Sequence, residues 1–276
     1  PPRKEPVLYY DDELVFEKGK IVEIFAEHYL SVSSGLAAPT PIPIPADTSQ
    51  QAYNLPFTLT ELTTAIHEAS GSSSPGPDNI HYQFFKHLTT NSRKALLRTY
   101  NSAWTNHKFP DKWLHAHIIP VPKANKPLTN AADYRPICLT SCFHKILERI
   151  IKPRLIAFMQ SRKLITPYQS GFLPGRSTTD NLTRLTTDLQ TAFARKLNTL
   201  AVFLDIRHAY DTISISAALE HIRYLGITGN LAHYLTFYLI GRSFQIRQGA
   251  TISETKKPTT GLMQGSVLSP YLFILT

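Results

Sequence analysis

AVFLDIRHAYD, residues 201–211, decides how this chain is read. An apolar run leads into Asp205, and Tyr210 follows five positions later. Such a run reads as a strand buried on both faces, so a strand is expected over 200–206 with Asp205 carried out at its end. That position suits a cation. Phosphoryl transfer uses metal ions to clamp the attacking and leaving oxygens, roughly 4 Å apart in two-metal sites. Magnesium takes hard oxygen ligands, and a strand end fixes one rigidly; the carbonyl of Ile206 would add another. An ordinary strand-end aspartate acting as a helix cap has the same local pattern, so the stretch needs companions.

The whole chain bounds the classes. It has 276 residues, 42% of them apolar and 18% charged, enough to bury a sizeable core in one large domain or two small ones. Lys and Arg number 29 against 20 Asp and Glu, a net charge of +9. Phosphate neutralisation supplies most non-specific nucleic-acid affinity, so nucleic acid is the first partner to consider, with a plain basic surface as the other reading. Cys138 and Cys142 are too few for a secreted disulfide scaffold and lack a second Cys/His pair for zinc. They read as reduced, buried thiols of a cytosolic or nuclear protein. Nothing approaches the roughly 20 apolar residues of a membrane span, and no membrane partner is expected. The chain opens PPRKEPVLYYDD, without an initiator Met, and closes inside the apolar GSVLSPYLFILT. We expect an excerpt of a longer protein.

Along the chain, Leu14, Ile21, Ile24, Phe25 and Tyr29 recur near helical spacing over 13–31. PTPIPIP, 39–45, reads as an extended linker. Thr58 and Glu61 form a capping box that opens a helix with Leu62, Ala65, Ile66 and Ala69. Residues 70–80 are a polar loop. Helices are expected at 81–89, 92–107, 142–151 and 178–195, the third ended or kinked by Pro153. A helix stripe runs through Ile215, Leu219, Ile222 and Leu225, with Gly226 as its C-terminal cap. HIIPVP, 117–122, is a strand candidate and FQIRQGATISE, 244–254, a β-hairpin. The mixture is α+β.

Moving outward from Asp205, six stretches occur in one order: SSSPGPDNI (72–80), AHIIPVPKANKP (116–127), ADYRPICLTSCFHKILERII (132–151), YQSGFLPGRSTTDNL (168–182), AVFLDIRHAYD and GLMQGSVLSPYLF (261–273). Together they resemble the reverse transcriptases of non-LTR, LINE-type retrotransposons, most closely the jockey-like group of insects. The resemblance covers 72–276. It implies a right-hand polymerase fold, here the fingers and first part of the palm behind a helical N-terminal extension. Expected divisions are 1–57, an N-terminal helix and Pro-rich linker; 58–115, a helical region leading into the fingers; and 116–276, fingers and partial palm.

The resemblance also implies roles. Asp205 would ligate both of two Mg2+ ions, with the Ile206 carbonyl. Tyr210 falls where the family excludes a ribose 2′-hydroxyl. Gln264 falls where a glutamine contacts the incoming deoxynucleoside triphosphate, and Lys123, Arg135 and Arg176 become nucleotide-binding cations of the fingers. Pro75, Gly76, Asp78 and Gly265 are expected near the template, and Asp211 reads as structural. Five positions depart from the family pattern: Asn79 stands for a glycine, Leu173 for an arginine, Arg207-His208 for Glu-Lys, and Met263 for a proline. The third palm motif, tyrosine, any residue and two aspartates, is expected beyond Thr276. VLYYDDELVF, 7–16, has that motif's look, but its place in the chain makes Tyr10-Asp11-Asp12 a decoy. Implied partners are an RNA template, a DNA primer or nicked target, and deoxynucleoside triphosphates, in a cytoplasmic and nuclear ribonucleoprotein. The rival reading is a truncated or domesticated chain that only binds RNA.

Overall fold

The computed structural model describes residues 6–11, 13–35, 37–47 and 51–276. Strands β1 (Leu8–Tyr10) and β2 (Glu13–Val15) form an antiparallel hairpin, followed by helix α1 (Lys18–Val32). Ile21, Ile24, Phe25 and Tyr29 are buried on α1 as the stripe expected over 13–31 requires, but Leu14 lies on β2 and is exposed, because the stretch begins as a hairpin whose inward residues are Leu8 and Val15. The 39–45 segment is extended, as its prolines require. It is not a free tether: Ile42 and Ile44 pack against the core, and the Gly229 amide donates to the Pro45 carbonyl at 3.2 Å.

Helix α2 (Leu59–Glu68) opens on the expected capping box, with the Thr58 hydroxyl accepting from the Glu61 amide at 3.2 Å and the Glu61 carboxylate accepting from the Thr58 amide at 2.7 Å. Helices α3 (Tyr82–Lys86) and α4 (Thr90–Asn106) follow. The aromatic centre of the core lies against α4. Trp104 is fully buried, its indole N–H donates to the Asn54 carbonyl at 3.1 Å, and Tyr100 donates to the Phe143 carbonyl at 2.7 Å.

Strands β3 (His115–Pro122) and β4 (Tyr134–Leu139) pair antiparallel, and β3 also pairs in parallel with β5 (Ser243–Gln248), which turns back as β6 (Thr251–Ile252). The sheet order is β4-β3-β5-β6. The β5 ladder stops at Ile118, so Pro120 and Pro122 fall where β3 has only β4 beside it. A missing donor is tolerated on such an edge.

Helix α5 (Cys142–Ser161) settles one of two expectations, because it does not end at Pro153 but continues past it. Proline in a helix interior costs about 3 kcal/mol. Beyond it, Leu155, Phe158 and Met159 are all buried, and full burial of such side chains contributes about 1.5–3 kcal/mol each, which outweighs that loss. Helices α6 (Thr178–Ala194), α7 (Ile215–Tyr224), α8 (Gly229–Ile240) and α9 (Ser269–Leu275) complete the chain. Gly226 has φ +78°, the left-handed conformation expected after α7. Cys138 and Cys142 are free and buried, and burial pushes each thiol up to about 11.

The second correction concerns 200–206. The segment is an exposed coil instead of a buried strand; Leu200, Phe203 and Leu204 are 89%, 82% and 91% exposed. A strand needs a neighbour for its N–H and C=O groups, and among the described residues none pairs with it. Helix α6, immediately before it, has no buried side chain either.

Candidate nucleotide site

The turn after Asp205 is stitched to the GLMQG stretch by backbone. Leu262 N–H donates to the Tyr210 carbonyl at 2.6 Å, Gly261 N–H to Ile213 at 2.8 Å, and the Thr260 hydroxyl to Asp211 at 2.9 Å. At Gly261, φ is +85° and an added Cβ would lie 2.8 Å from the carbonyl oxygens of Tyr210 and Asp211, so only glycine allows this approach. The far end of the stretch is tied to β4, where Cys138 N–H donates to the Gln264 carbonyl at 2.9 Å. Two motifs more than fifty positions apart thus meet on the sheet.

Their meeting leaves a cavity of about 210 Å³. Lys123 enters it from the end of β3, Arg135 from β4, Tyr210 and Asp211 from the turn, and Gln264 from the GLMQG stretch. Lys123 Nζ donates to the Ala132 carbonyl at 2.7 Å, and Arg135 is exposed. Neither is in an ion pair among the described residues. The Tyr210 ring stacks on Phe273 of α9, centroids 5.4 Å apart and 11° from parallel. Asp211 lies 3.6 Å from Nδ1 of His208. Burial raises its carboxyl above the ordinary range, against the pull of His208, Lys123 and the Gln264 side chain. The result is a pocket with two ion-pair-free cations, one aromatic wall and a single held carboxylate, chemistry suited to an anion.

Four of the sequence-predicted site residues therefore converge: Lys123, Arg135, Tyr210 and Gln264. Asp205 and Ile206 lie in the exposed coil and do not line the cavity. Arg176 is elsewhere too. Its guanidinium donates to the carbonyls of Thr166 (3.2 Å), Pro167 (3.3 Å) and Gln169, clamping its own loop. The Pro75–Asp78 loop is latched to the head of α5, the Asp78 carboxylate accepting from the Ser141 hydroxyl at 2.6 Å. Gly265, φ +106°, would bring a Cβ within 3.0 Å of the Cys138 carbonyl oxygen. Of the hairpin YYDD, Asp12 lies outside the described residues. Tyr9 N–H donates to Thr129 at 2.7 Å and the Tyr10 hydroxyl donates to Glu27 at 3.4 Å.

Most departures from the family pattern find local reasons; Arg207 has none in the structure. Asn79 has φ +55°, a left-handed turn position that glycine or asparagine adopts readily. Leu173 and Met263 are buried, where apolar side chains belong. His208 places its Nδ1 3.6 Å from the Asp211 carboxylate. Sequence reasoning missed His28 and Tyr29, which α1 brings to the same cavity. The only signal was position: Tyr29 lies on the apolar stripe and His28, four residues after Ile24, on its border.

A family profile described as reverse transcriptase (RNA-dependent DNA polymerase) matches residues 121–276. The chain belongs to that family. It is similar to the probable RNA-directed DNA polymerases from transposon BS (32% identical, covering 79% of this chain and 24% of the relative) and from transposon X-element (30%, 80% and 24%), both of Drosophila melanogaster. It is also similar to the RNA-directed DNA polymerase from mobile element jockey of the same fly, at 29% identity over 78% of this chain and 24% of the relative. The chain thus spans about a quarter of the length of these relatives. Reverse transcriptases as a family use divalent metal ions. The present residues do not fit a pair of them: Asp205 stands exposed, and among the described residues no three His, Cys, Asp or Glu side chains gather as a metal site.

Proposed function

We propose that these residues form the fingers and front of the palm of an RNA-directed DNA polymerase of a non-LTR retrotransposon, and that the cavity seats the incoming deoxynucleoside triphosphate. The convergence of Lys123, Arg135, Tyr210 and Gln264 from four separate segments carries the reading. In it, Lys123 and Arg135 face phosphate oxygens, Gln264 orients the nucleotide, and Tyr210, backed by Phe273, stands against the ribose 2′ position. The complete protein would copy RNA from the 3′-OH of a nicked DNA target using two Mg2+ ions, as a cytoplasmic and nuclear ribonucleoprotein.

The charge makes a testable claim. RNA binding by this chain should weaken linearly in log affinity against log salt, and Arg135→Ala should lower the slope by roughly 0.7 if it contacts one single-strand phosphate. The measurement is a salt titration of RNA binding. Lys123→Ala should weaken triphosphate binding about tenfold, about 1.4 kcal/mol. Unchanged salt slopes and unchanged triphosphate affinity in these variants would remove the cavity from the account.

The exposed Asp205 favours a second claim about the isolated chain: it binds RNA without extending a primer, because one carboxylate leaves the transition-state charge poorly compensated. The measurement is primer extension on an RNA template with Mg2+. Extension that Asp205→Ala abolishes would overturn this claim.

A further inference from the structure

Glu148 on α5 is 0% exposed, and no other Asp or Glu among the described residues is so deeply enclosed. It has no ion-pair partner among them. Burying a carboxyl is costly, and an apolar side chain of similar volume is often tolerated as well or better. One reason to keep such a group is that its bonds select a single geometry. What Glu148 holds is the loop between Gln264 and α9. The Ser266 hydroxyl donates to its Oε1, and the Val267 amide donates to its Oε2 at 3.2 Å. We propose that Glu148 is a positioning residue of the nucleotide site: it touches no ligand, and it sets the place of Gln264 by holding the chain two and three positions further on.

The inference rests on the cavity reading given above and deepens it. Glu148 does not line the cavity, whereas the Gln264 side chain does. The Gln264 backbone is tied to the sheet through its carbonyl, which accepts from the Cys138 amide at 2.9 Å. The next residue is Gly265, whose φ of +106° is open to glycine and closed to most side chains. A tether on one side of a glycine joint leaves the joint free to turn; a second anchor beyond it does not. Ser266 is that anchor. Besides donating to Glu148, its oxygen accepts from the Tyr238 hydroxyl at 2.6 Å and from the amides of Leu268 and Ser269 at 3.1 and 3.3 Å. The Ser269 hydroxyl returns to the Met263 carbonyl at 2.8 Å, closing the loop across Gln264. Glu148 is the end of this network that reaches out of the loop to α5, 118 positions from Ser266 in the chain. A side chain that must meet a ligand is held to within about 0.5 Å only when such supporting bonds lock it.

The test measures binding of deoxythymidine triphosphate to the 276-residue chain by titration calorimetry, in a double-mutant cycle. Glu148→Ala and Gln264→Ala are each expected to weaken binding about tenfold, and the double variant to lose no more than about twofold beyond either, because the two residues act through one another. A Glu148 that only supported the fold would weaken binding by the same factor with or without the Gln264 side chain, and that result would overturn the proposal. If Glu148→Ala does not fold, Ser266→Ala takes its place in the cycle. It removes the hydroxyl that the carboxylate holds and is expected to weaken binding about fivefold, with less than about twofold further loss in the Gln264→Ala background. Full affinity in the Glu148 or Ser266 variant, alongside weakened binding by Gln264→Ala and Lys123→Ala, would overturn the role of Glu148 and leave the cavity reading standing. Failure of the parent chain to bind the triphosphate would remove both.

Discussion

Arg154→Ala is expected to lower the stability of the chain by about 2 kcal/mol, the range for hydrogen bonds to a charged group in a partly buried ion pair. Arg154 projects from α5 onto the segment that leads into α2. Its Nε lies 2.7 Å from Oε1 of Glu61 and its Nη2 2.9 Å from Oε2, a two-pronged pair. The remaining donors reach the carbonyls of Tyr53 (3.4 Å), Leu55 and Pro56 (3.1 Å), and the guanidinium lies 4.7 Å from the centre of the Phe57 ring. The variant leaves a carboxylate and three carbonyls without this donor. Lysine restores the charge but not the planar fork, so Arg154→Lys should recover only part of the loss. The pH dependence has a definite sign. Burial pushes the Glu61 carboxyl up, but hydrogen bonds from Arg154 and Thr58 outweigh it and hold the group below its ordinary value of 4.5. A depressed folded value means that this stability is present above the unfolded value and lost as pH falls through the folded one. Urea melts of parent and variant should therefore differ most near neutrality, and the difference should narrow as the pH falls below 4.5. A difference within ~0.5 kcal/mol at neutral pH would place Arg154 among ordinary surface positions and contradict the clamp.

Gly76→Ala is expected to cost about 3 kcal/mol, the upper part of the range for overpacking. A Cβ at Gly76 would lie 2.4 Å from the Thr140 carbonyl carbon and 2.5 Å from the Ser141 nitrogen and the Thr140 oxygen. All three are backbone atoms at the junction of β4 and α5, so no side chain can swing aside to make room. The same junction holds Ser141, whose hydroxyl donates to Asp78 and accepts from the Phe143 amide at 3.2 Å as the cap of α5. The loop is thus a latch on the helix that follows β4, the strand bearing Arg135. Thermal melts check the stability, and RNA binding measured well below the melting temperature checks the alternative. If stability is unchanged and RNA affinity falls, Gly76 contacts template and the latch is wrong.

Part of this molecule was legible without coordinates because the forces involved are local. Thr58 and Glu61 cap α2 through bonds spanning three residues, and Gly226 ends α7 because its neighbours in the chain demand a left-handed turn. The motifs around Tyr210 and Gln264 were readable for a different reason: their residue types and order carry the family's chemistry, which a single chain displays whatever its packing. The strand HIIPVP and the hairpin over 244–254 were also visible as short apolar runs bounded by turn residues, whereas the strand YRPICL was not read from the sequence.

Only the tertiary structure decided the rest, and each case turns on a partner distant in the chain. The apolar run at 201–204 reads as a strand by itself, but strand formation depends on a neighbouring ladder, and here none is paired to it. Pro153 reads as a helix end or a kink, and the burial of Leu155, Phe158 and Met159 beyond it carries α5 past it. Arg176 reads as a cation for phosphate, and its own loop's carbonyls take its donors. His28 and Tyr29 read as a helix stripe and its border. They reach the cavity because α1 folds back over the sheet and its end is pinned to Thr259 and Thr260, a contact of more than two hundred residues' separation that no local pattern encodes.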